Sequence, residues 1–242
     1  MRPHFTLSSL FGRALPALLC AATLVACEPG DELSRFSGRE LRASVNSFEG
    51  GLLAILDRYE PERGGCLQLH PDVVATFDGV PLETSPGGPV VERCEFPNDP
   101  PFFTGKLDTA LFFDAPRNAV MEIRAGDEAI IAEFTNFFGR HTFTLIEPAP
   151  VVKPGEEIFL EWDPPTDDLS QLEGVSMNGT VIPAALEGHG VRFTVPANFP
   201  TGRFNVGHVG QVTIPAARCE GVARCRSFPW PLYRFAQLNI QP

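Results

Sequence analysis

The stretch Val152-Lys153-Pro154-Gly155-Glu156-Glu157-Ile158-Phe159-Leu160-Glu161-Trp162 decides the fold class. Pro154-Gly155 is a turn signal, because proline presets φ for one corner and glycine accepts the positive φ of the next. After the turn, Ile158, Leu160 and Trp162 fall on one face of an extended strand by period two. A strand ending in a core-sized Trp needs a second apolar layer to cover it. The whole chain has this grain. Its 24 Pro and 22 Gly interrupt 242 residues at short spacing, which gives short elements and many turns and therefore an all-β architecture. With 43% hydrophobic residues, the composition is not that of a disordered chain.

Downstream, Val191-Arg192-Phe193-Thr194-Val195-Pro196 and Gly202-Arg203-Phe204-Asn205-Val206 read as two further strands. Phe235 to Ile240 reads as the last, with Phe235, Gln237 and Asn239 alternating against Ala236, Leu238 and Ile240. With the Gly-led strand that ends in Trp162, this half resembles bacterial immunoglobulin-like domains, in which such a Trp packs between two sheets. The resemblance implies that the three later segments are the E, F and G strands. It departs from antibody-type domains, because no Cys pair spans Trp162; Cys219 and Cys225 pin a loop just before the last strand.

Pro148-Ala149-Pro150 reads as a hinge, since repeated Pro fixes φ and ends strands. Upstream of it, Val73 to Phe77 is β-rich, Asp78-Gly79 is a tight-turn signal and Val80-Pro81-Leu82 returns beside it. Val90 to Cys94 reads as a further strand. Leu107–Asp114, Ala119–Arg124, Glu128–Phe134 and His141–Ile146 follow as strands, with Ala125-Gly126-Asp127 joining two of them as a hairpin. The segment Leu41 to Tyr59 is ambiguous. Leu41, Val45, Phe48, Leu52, Ile55 and Tyr59 recur at helical steps. A Gly50-Gly51 pair in a helix interior costs about 1 kcal/mol per glycine, and a hairpin turning at Glu49-Gly50-Gly51 fits equally well. The all-β remainder favours the hairpin. Phe102-Phe103, Phe112-Phe113 and Phe137-Phe138 place one ring inside and one outside if they lie in strands.

The amino end reads MRPHFTLSSLFGRALPALLCAATLVAC. Arg2 and Arg13 precede an apolar core, Ala14 to Ala26, that ends in small residues, which is the layout of a secretory signal. The core is shorter than the roughly 20 residues a membrane span needs. Leu24-Val25-Ala26-Cys27 resembles the lipobox of bacterial lipoproteins. The resemblance implies diacylglyceryl transfer to the Cys27 sulfur, cleavage after Ala26 and membrane attachment through the lipid. In enteric bacteria an Asp after the cysteine resembles an inner-membrane retention signal; here Glu28 stands there, which favours the outer membrane, with the protein facing the periplasm or the cell surface. The expected organisation is therefore a signal peptide over 1–26, a polar tether over 27–40, an N-terminal β-sandwich-like domain over 41–147 and a C-terminal immunoglobulin-like β-sandwich domain over 151–242.

Removing Arg2 and Arg13 with the leader leaves 17 basic residues against 30 acidic ones, a net charge of −13. Such a surface repels phosphate backbones, so nucleic acid is not an expected partner. Four cysteines remain beside Cys27: Cys66, Cys94, Cys219 and Cys225. An even number in an exported chain points to disulfides. Three pairings are open, of which Cys66–Cys94 with Cys219–Cys225 is the economical one.

The motifs of catalysis and cofactor binding are missing: no GxSxG elbow, HExxH helix, phosphate loop or GxGxxG is present. His70, His141, His189 and His208 are scattered, and no metal or cofactor is expected. Asp163-Pro164-Pro165-Thr166-Asp167-Asp168 is the densest acidic run; it reads as a solvated loop ahead of a calcium site. Trp230, in Pro229-Trp230-Pro231-Leu232-Tyr233, is the one candidate for stacking a sugar, with Tyr233 beside it, but the preferred reading is that it plugs the end of the sandwich. The expectation is a non-enzymatic, lipid-anchored envelope protein with a structural or binding role towards an envelope protein or a glycan. An envelope hydrolase with a motif-free site, or a carbohydrate-binding surface module, is the alternative.

Overall fold

A computed structural model describes residues 31–37, 40–48, 50–58, 67–87, 100–113, 115–144, 149–229 and 236–242. Within them the chain is all-β, with one short 3-10 helix at Thr109–Phe113. No helix among these residues is long and apolar enough to cross a membrane.

Two five-stranded sheets share the first core. One runs, in spatial order, Ala216–Glu220, Glu128–Phe138, Arg117–Ala125, Val74–Phe77 and Val80–Pro81; the other runs Arg224–Phe228, Leu41–Phe48, Gly51–Arg58, Phe102–Lys106 and Glu83–Ser85. Alternation explains the layer between them. Ala43, Val45, Leu52, Ala54, Leu56 and Phe103 point inward from one sheet and meet Phe77, Met121, Ile123, Ile130, Ala132 and Phe134 from the other. The ambiguous segment is the hairpin: Leu41–Phe48 pairs antiparallel with Gly51–Arg58, Phe48 opposite Gly51. Gly50 turns it with φ at +72°. The Asp78-Gly79 and Ala125-Gly126-Asp127 turns also form as their residues dictate.

The second core lies between a four-stranded sheet (Thr142–Phe143, Glu157–Asp163, Gly190–Thr194, Ala185–Glu187) and a five-stranded one (Val151–Val152, Ala236–Ile240, Gly202–Thr213, Asp168–Met177, Thr180–Pro183). Trp162, 2% exposed, sits at its centre with Leu160, Phe193, Val175, Val206 and Leu238.

Several expectations need correction. Leu107–Asp114 is not a strand. Its strand is Phe102–Lys106, and Asp108 then caps the 3-10 turn, its Oδ1 accepting from Ala110 N at 2.9 Å. Phe102 and Phe103 divide between the outside and the core as alternation requires, but Phe137 and Phe138 are both buried. The register slips between Phe134 and Phe138, and Asn136 has φ +52°, so the extra backbone turns both rings inward. Residues 31–37 of the expected tether are built into the first sandwich. Asp31–Leu33 pairs in parallel with Leu67–Leu69, and Leu33 and Phe36 are buried, being the apolar side chains in an otherwise polar run. The Glu128 carboxylate accepts from the Phe36 and Ser37 backbone N–H groups and the Ser37 hydroxyl.

The chain also crosses the division expected at 148–150. Phe143 already packs in the second core, opposite Trp162 in register. Residues 214–228 return from the second sandwich to the first. Ala216–Glu220 adds antiparallel to Glu128–Phe138, and Arg224–Phe228 adds parallel to Leu41–Phe48. This arm supplies one edge strand to each sheet of the first sandwich, and Ile214 enters its core. At the arm's tip Gly221 has φ +77°, and a Cβ there would stand 2.3 Å from the Ala129 carbonyl oxygen; only glycine fits.

Candidate functional site

Two places concentrate chemistry, a buried polar cluster where the two cores meet and an open cleft at one end of the first.

The buried cluster starts from backbone. Strand Glu128–Phe138 ends at Gly139, where an added Cβ would lie 3.1 Å from the Pro164 ring. His141, with φ +48°, then turns the chain into the second sandwich. Loop 163–168 brings Asp167 to meet it. His141 Nδ1 lies 2.7 Å from Asp167 Oδ2, and Nε2 lies 3.0 Å from the Phe137 carbonyl oxygen. Trp162 Nε1–H donates to the same Asp167 oxygen at 2.7 Å. The side chains of His141 and Asp167 have no exposure at all. Trp162 is flanked edge-on by Phe143 and His208, each ring 5.2 Å away. Burial holds the His208 imidazole below its ordinary pKa, because desolvation disfavours the charged ring.

A His–Asp pair at this distance is the orienting half of a nucleophilic triad, whose other imidazole nitrogen must face the nucleophile. Here that nitrogen donates to the Phe137 carbonyl, and both partners are sealed from solvent. The pair is an internal clamp.

The acidic loop is likewise accounted for. Asp167 turns inward; Asp163 Oδ2 lies 3.9 Å from Arg140 Nε; Asp168 accepts from Ser170 N at 2.9 Å. Hydrogen bonds from the backbone and side chain of Ser170 hold the Asp168 carboxyl below the usual carboxylate range. The three carboxylates serve three different partners and do not converge on an ion. The loop is not wholly solvated as its composition suggests, because Asp167 is the buried member. Among the described residues, no three His, Cys, Asp or Glu side chains gather to hold a metal.

The cleft, of about 680 Å³, opens between the Asp78-Gly79 turn, the end of strand Phe102–Lys106 and the 3-10 helix. Phe77, Phe138, Leu52, Leu82, Leu107 and Leu111 form its apolar lining. Gly105 admits the Leu82 side chain, whose Cδ2 lies 2.5 Å from where a Cβ would stand. Four charged residues rim it. Arg117 lies over the Phe138 ring, 4.0 Å from Cζ to the centroid, and its Nη1 donates to Asp78 Oδ2 at 2.6 Å. Asp78 Oδ1 accepts from Val120 N. Asp108 caps the 3-10 turn. Among the described residues, Lys106 makes no ion pair or side-chain hydrogen bond.

Of the residues singled out from the sequence, Cys219 and Cys225 are joined by a disulfide with Cα atoms 5.7 Å apart. They lie on two strands of the arm, not in a loop of the second sandwich, so the bond ties one sheet of the first sandwich to the other. Cys27, Cys66, Cys94, Trp230 and Tyr233 lie outside the described residues, as does the strand expected at Val90–Cys94. The ring of His189 is exposed, and its carbonyl accepts from Trp162 N. Sequence reasoning missed the His141–Asp167 pair, whose members lie 26 residues apart without a motif, and the cleft, whose charges come from three separate segments.

The sequence matches no family model and no curated relative. Solved structures to which the chain is similar include SGBP-B of the mixed-linkage glucan utilization locus of Bacteroides ovatus, in complex with a mixed-linkage heptasaccharide (10% identity, TM-score 0.25, 86% of this chain covered). This chain spans 44% of the length of that one. Others are the titin Ig tandem domains A164-A165 (8% identity, TM-score 0.20, 84% of this chain and 95% of that one) and fibronectin(III)-like modules of Clostridium thermocellum CbhA (11% identity, TM-score 0.23, 79% and 90%).

Proposed function

We propose that this chain is a non-enzymatic binding protein of the bacterial cell envelope, exported by residues 1–26 and held at the outer membrane by lipid on Cys27. Two sandwich units form its body, the second immunoglobulin-like. The observation that carries the binding role is the cleft at the end of the first sandwich. It is concave, mainly apolar, edged by a few charges and built between stiff strands, which is the common make-up of a small-ligand site. The spent Nε2 of His141 supports the non-enzymatic reading over a hydrolase, because the buried His141–Asp167 pair has no nitrogen left for a substrate.

Full-length protein expressed in a Gram-negative host with labelled palmitate tests the anchor. The wild type takes label and fractionates with membranes, and Cys27→Ala does neither; equal labelling of both would remove the anchor. The neutral probe N-phenyl-1-naphthylamine tests the cleft. Its fluorescence rises with wild-type protein, and Leu111→Trp, which narrows the cleft from the 3-10 helix, abolishes the rise. Gly105→Val, which pushes Leu82 into the same space, serves if the first variant does not fold. An unchanged rise in a folded narrowed variant removes the cleft as the site.

A further inference from the structure

We infer that the cleft selects a small amphiphile with an apolar body and a single anionic head, a medium-chain carboxylate in kind, and that Lys106 receives the head. The inference rests on the cleft being the binding site and goes on to name the ligand class. Size comes first: about 680 Å³ lies inside the range of roughly 300–1,000 Å³ typical of small-ligand sites. The lining comes next. Phe77, Phe138, Leu52, Leu82 and Leu111 present hydrocarbon and no side-chain donor, so the enclosed part of the ligand is apolar.

Charge accounting then selects the head. Both oxygens of Asp78 are engaged, one by Arg117 and one by the Val120 N–H. Arg117 is spent on Asp78 and on the Phe138 ring. Asp108 keeps its charge but is turned to the Ala110 N–H. Among the described residues Lys106 is the rim cation without an ion pair, and its ammonium carries three donors on a flexible stem that follows apolar surface. A neutral ligand leaves that cation unused; a cationic head meets it as a like charge. An anion pairs with it beside low-dielectric walls, where the attraction exceeds that in bulk water. The chain's net charge of −11 opposes anions at long range, so the preference is local to this rim.

Isothermal titration of full-length protein at low salt with octanoate and with octanol tests the assignment. Wild type binds octanoate about tenfold more tightly than octanol, and Lys106→Glu removes that preference while leaving octanol binding intact. Lys153→Glu, a surface change in the second sandwich, leaves the preference as it is. Equal affinity for the two ligands in the wild type, or a preference that survives Lys106→Glu, overturns the carboxylate assignment while the cleft stands as an apolar site. If neither ligand binds, both readings fail.

Discussion

His141 Nδ1 and Asp167 Oδ2 stand 2.7 Å apart with both side chains fully buried, one from the end of the first sandwich and one from a loop of the second. Both ring nitrogens of His141 face acceptors, the Asp167 carboxylate and the Phe137 carbonyl. Trp162 completes the cluster through the same carboxylate oxygen. One carboxylate therefore organises the seam between the two cores.

Removing that carboxylate takes away the shared partner of His141 Nδ1 and the Trp162 N–H, both buried. Leaving a buried polar group without its partner costs about 1–3 kcal/mol, so Asp167→Ala is expected to lower stability by that order in urea titrations. Asp167→Asn keeps an acceptor for one donor and falls between the two. A loss below about 1 kcal/mol for Asp167→Ala, the usual size for an ordinary surface change, would mean that the cluster does not hold the seam.

The Cys219–Cys225 disulfide closes a short loop, with a sequence separation of 6. Loop-closure entropy for a ring this small predicts about 2 kcal/mol. Its position adds a local effect, because the two half-cystines sit on edge strands of opposite sheets. Cys219→Ser with Cys225→Ser is expected to speed amide exchange at 131–134 and 42–46, the segments the arm covers, before the second core is affected. Uniform acceleration over both cores would argue against an arm that opens by itself.

Gly221 tests the same arm without touching sulfur. At φ +77° an alanine is strained. Its Cβ would also meet the Ala129 carbonyl, which belongs to a strand and cannot retreat cheaply. Gly221→Ala is expected to destabilise by about 1–3 kcal/mol and to raise exchange at the arm's two strands. Gly126→Ala, at φ +58° with nothing within 4 Å, carries backbone strain alone and is the milder control.

What the sequence makes legible follows its local signals. Ile158, Leu160 and Trp162 alternate, so their strand and its buried face can be read directly. Asp78-Gly79 and Gly50-Gly51 state their turns, because few residues accept those backbone angles. Leu107 to Asp114 misleads because a short apolar run is compatible with a strand or a helical turn, and the cap by Asp108 decides it. Phe137-Phe138 misleads because one positive φ at Asn136 breaks the alternation. The arm is harder still. Ala216 to Glu220 is exposed throughout, so it carries no pattern of inside and outside, and its partners lie roughly 90 and 180 residues upstream by the observed pairing. The cleft and the buried pair are likewise long-range products, assembled from residues that no spacing connects.

His208 gives the pH dependence a definite sign. Burial against Trp162 lowers its folded pKa, while in the unfolded chain the ring titrates near 6.5. Below about pH 6.5 the unfolded state takes up a proton that the folded state refuses, so stability is full above that pH and is lost as pH falls towards the folded value. Chemical denaturation at intervals from about pH 7.5 to pH 5 is expected to show midpoints that decline on acidification. His208→Asn cannot charge, so its midpoints are expected to decline less over the same range. His141 and the carboxylates are common to both proteins, so the difference between the two slopes belongs to position 208. Parallel slopes would mean that the folded protein accommodates a charged His208 as readily as water does, and that the ring's contact with Trp162 does not exclude solvent.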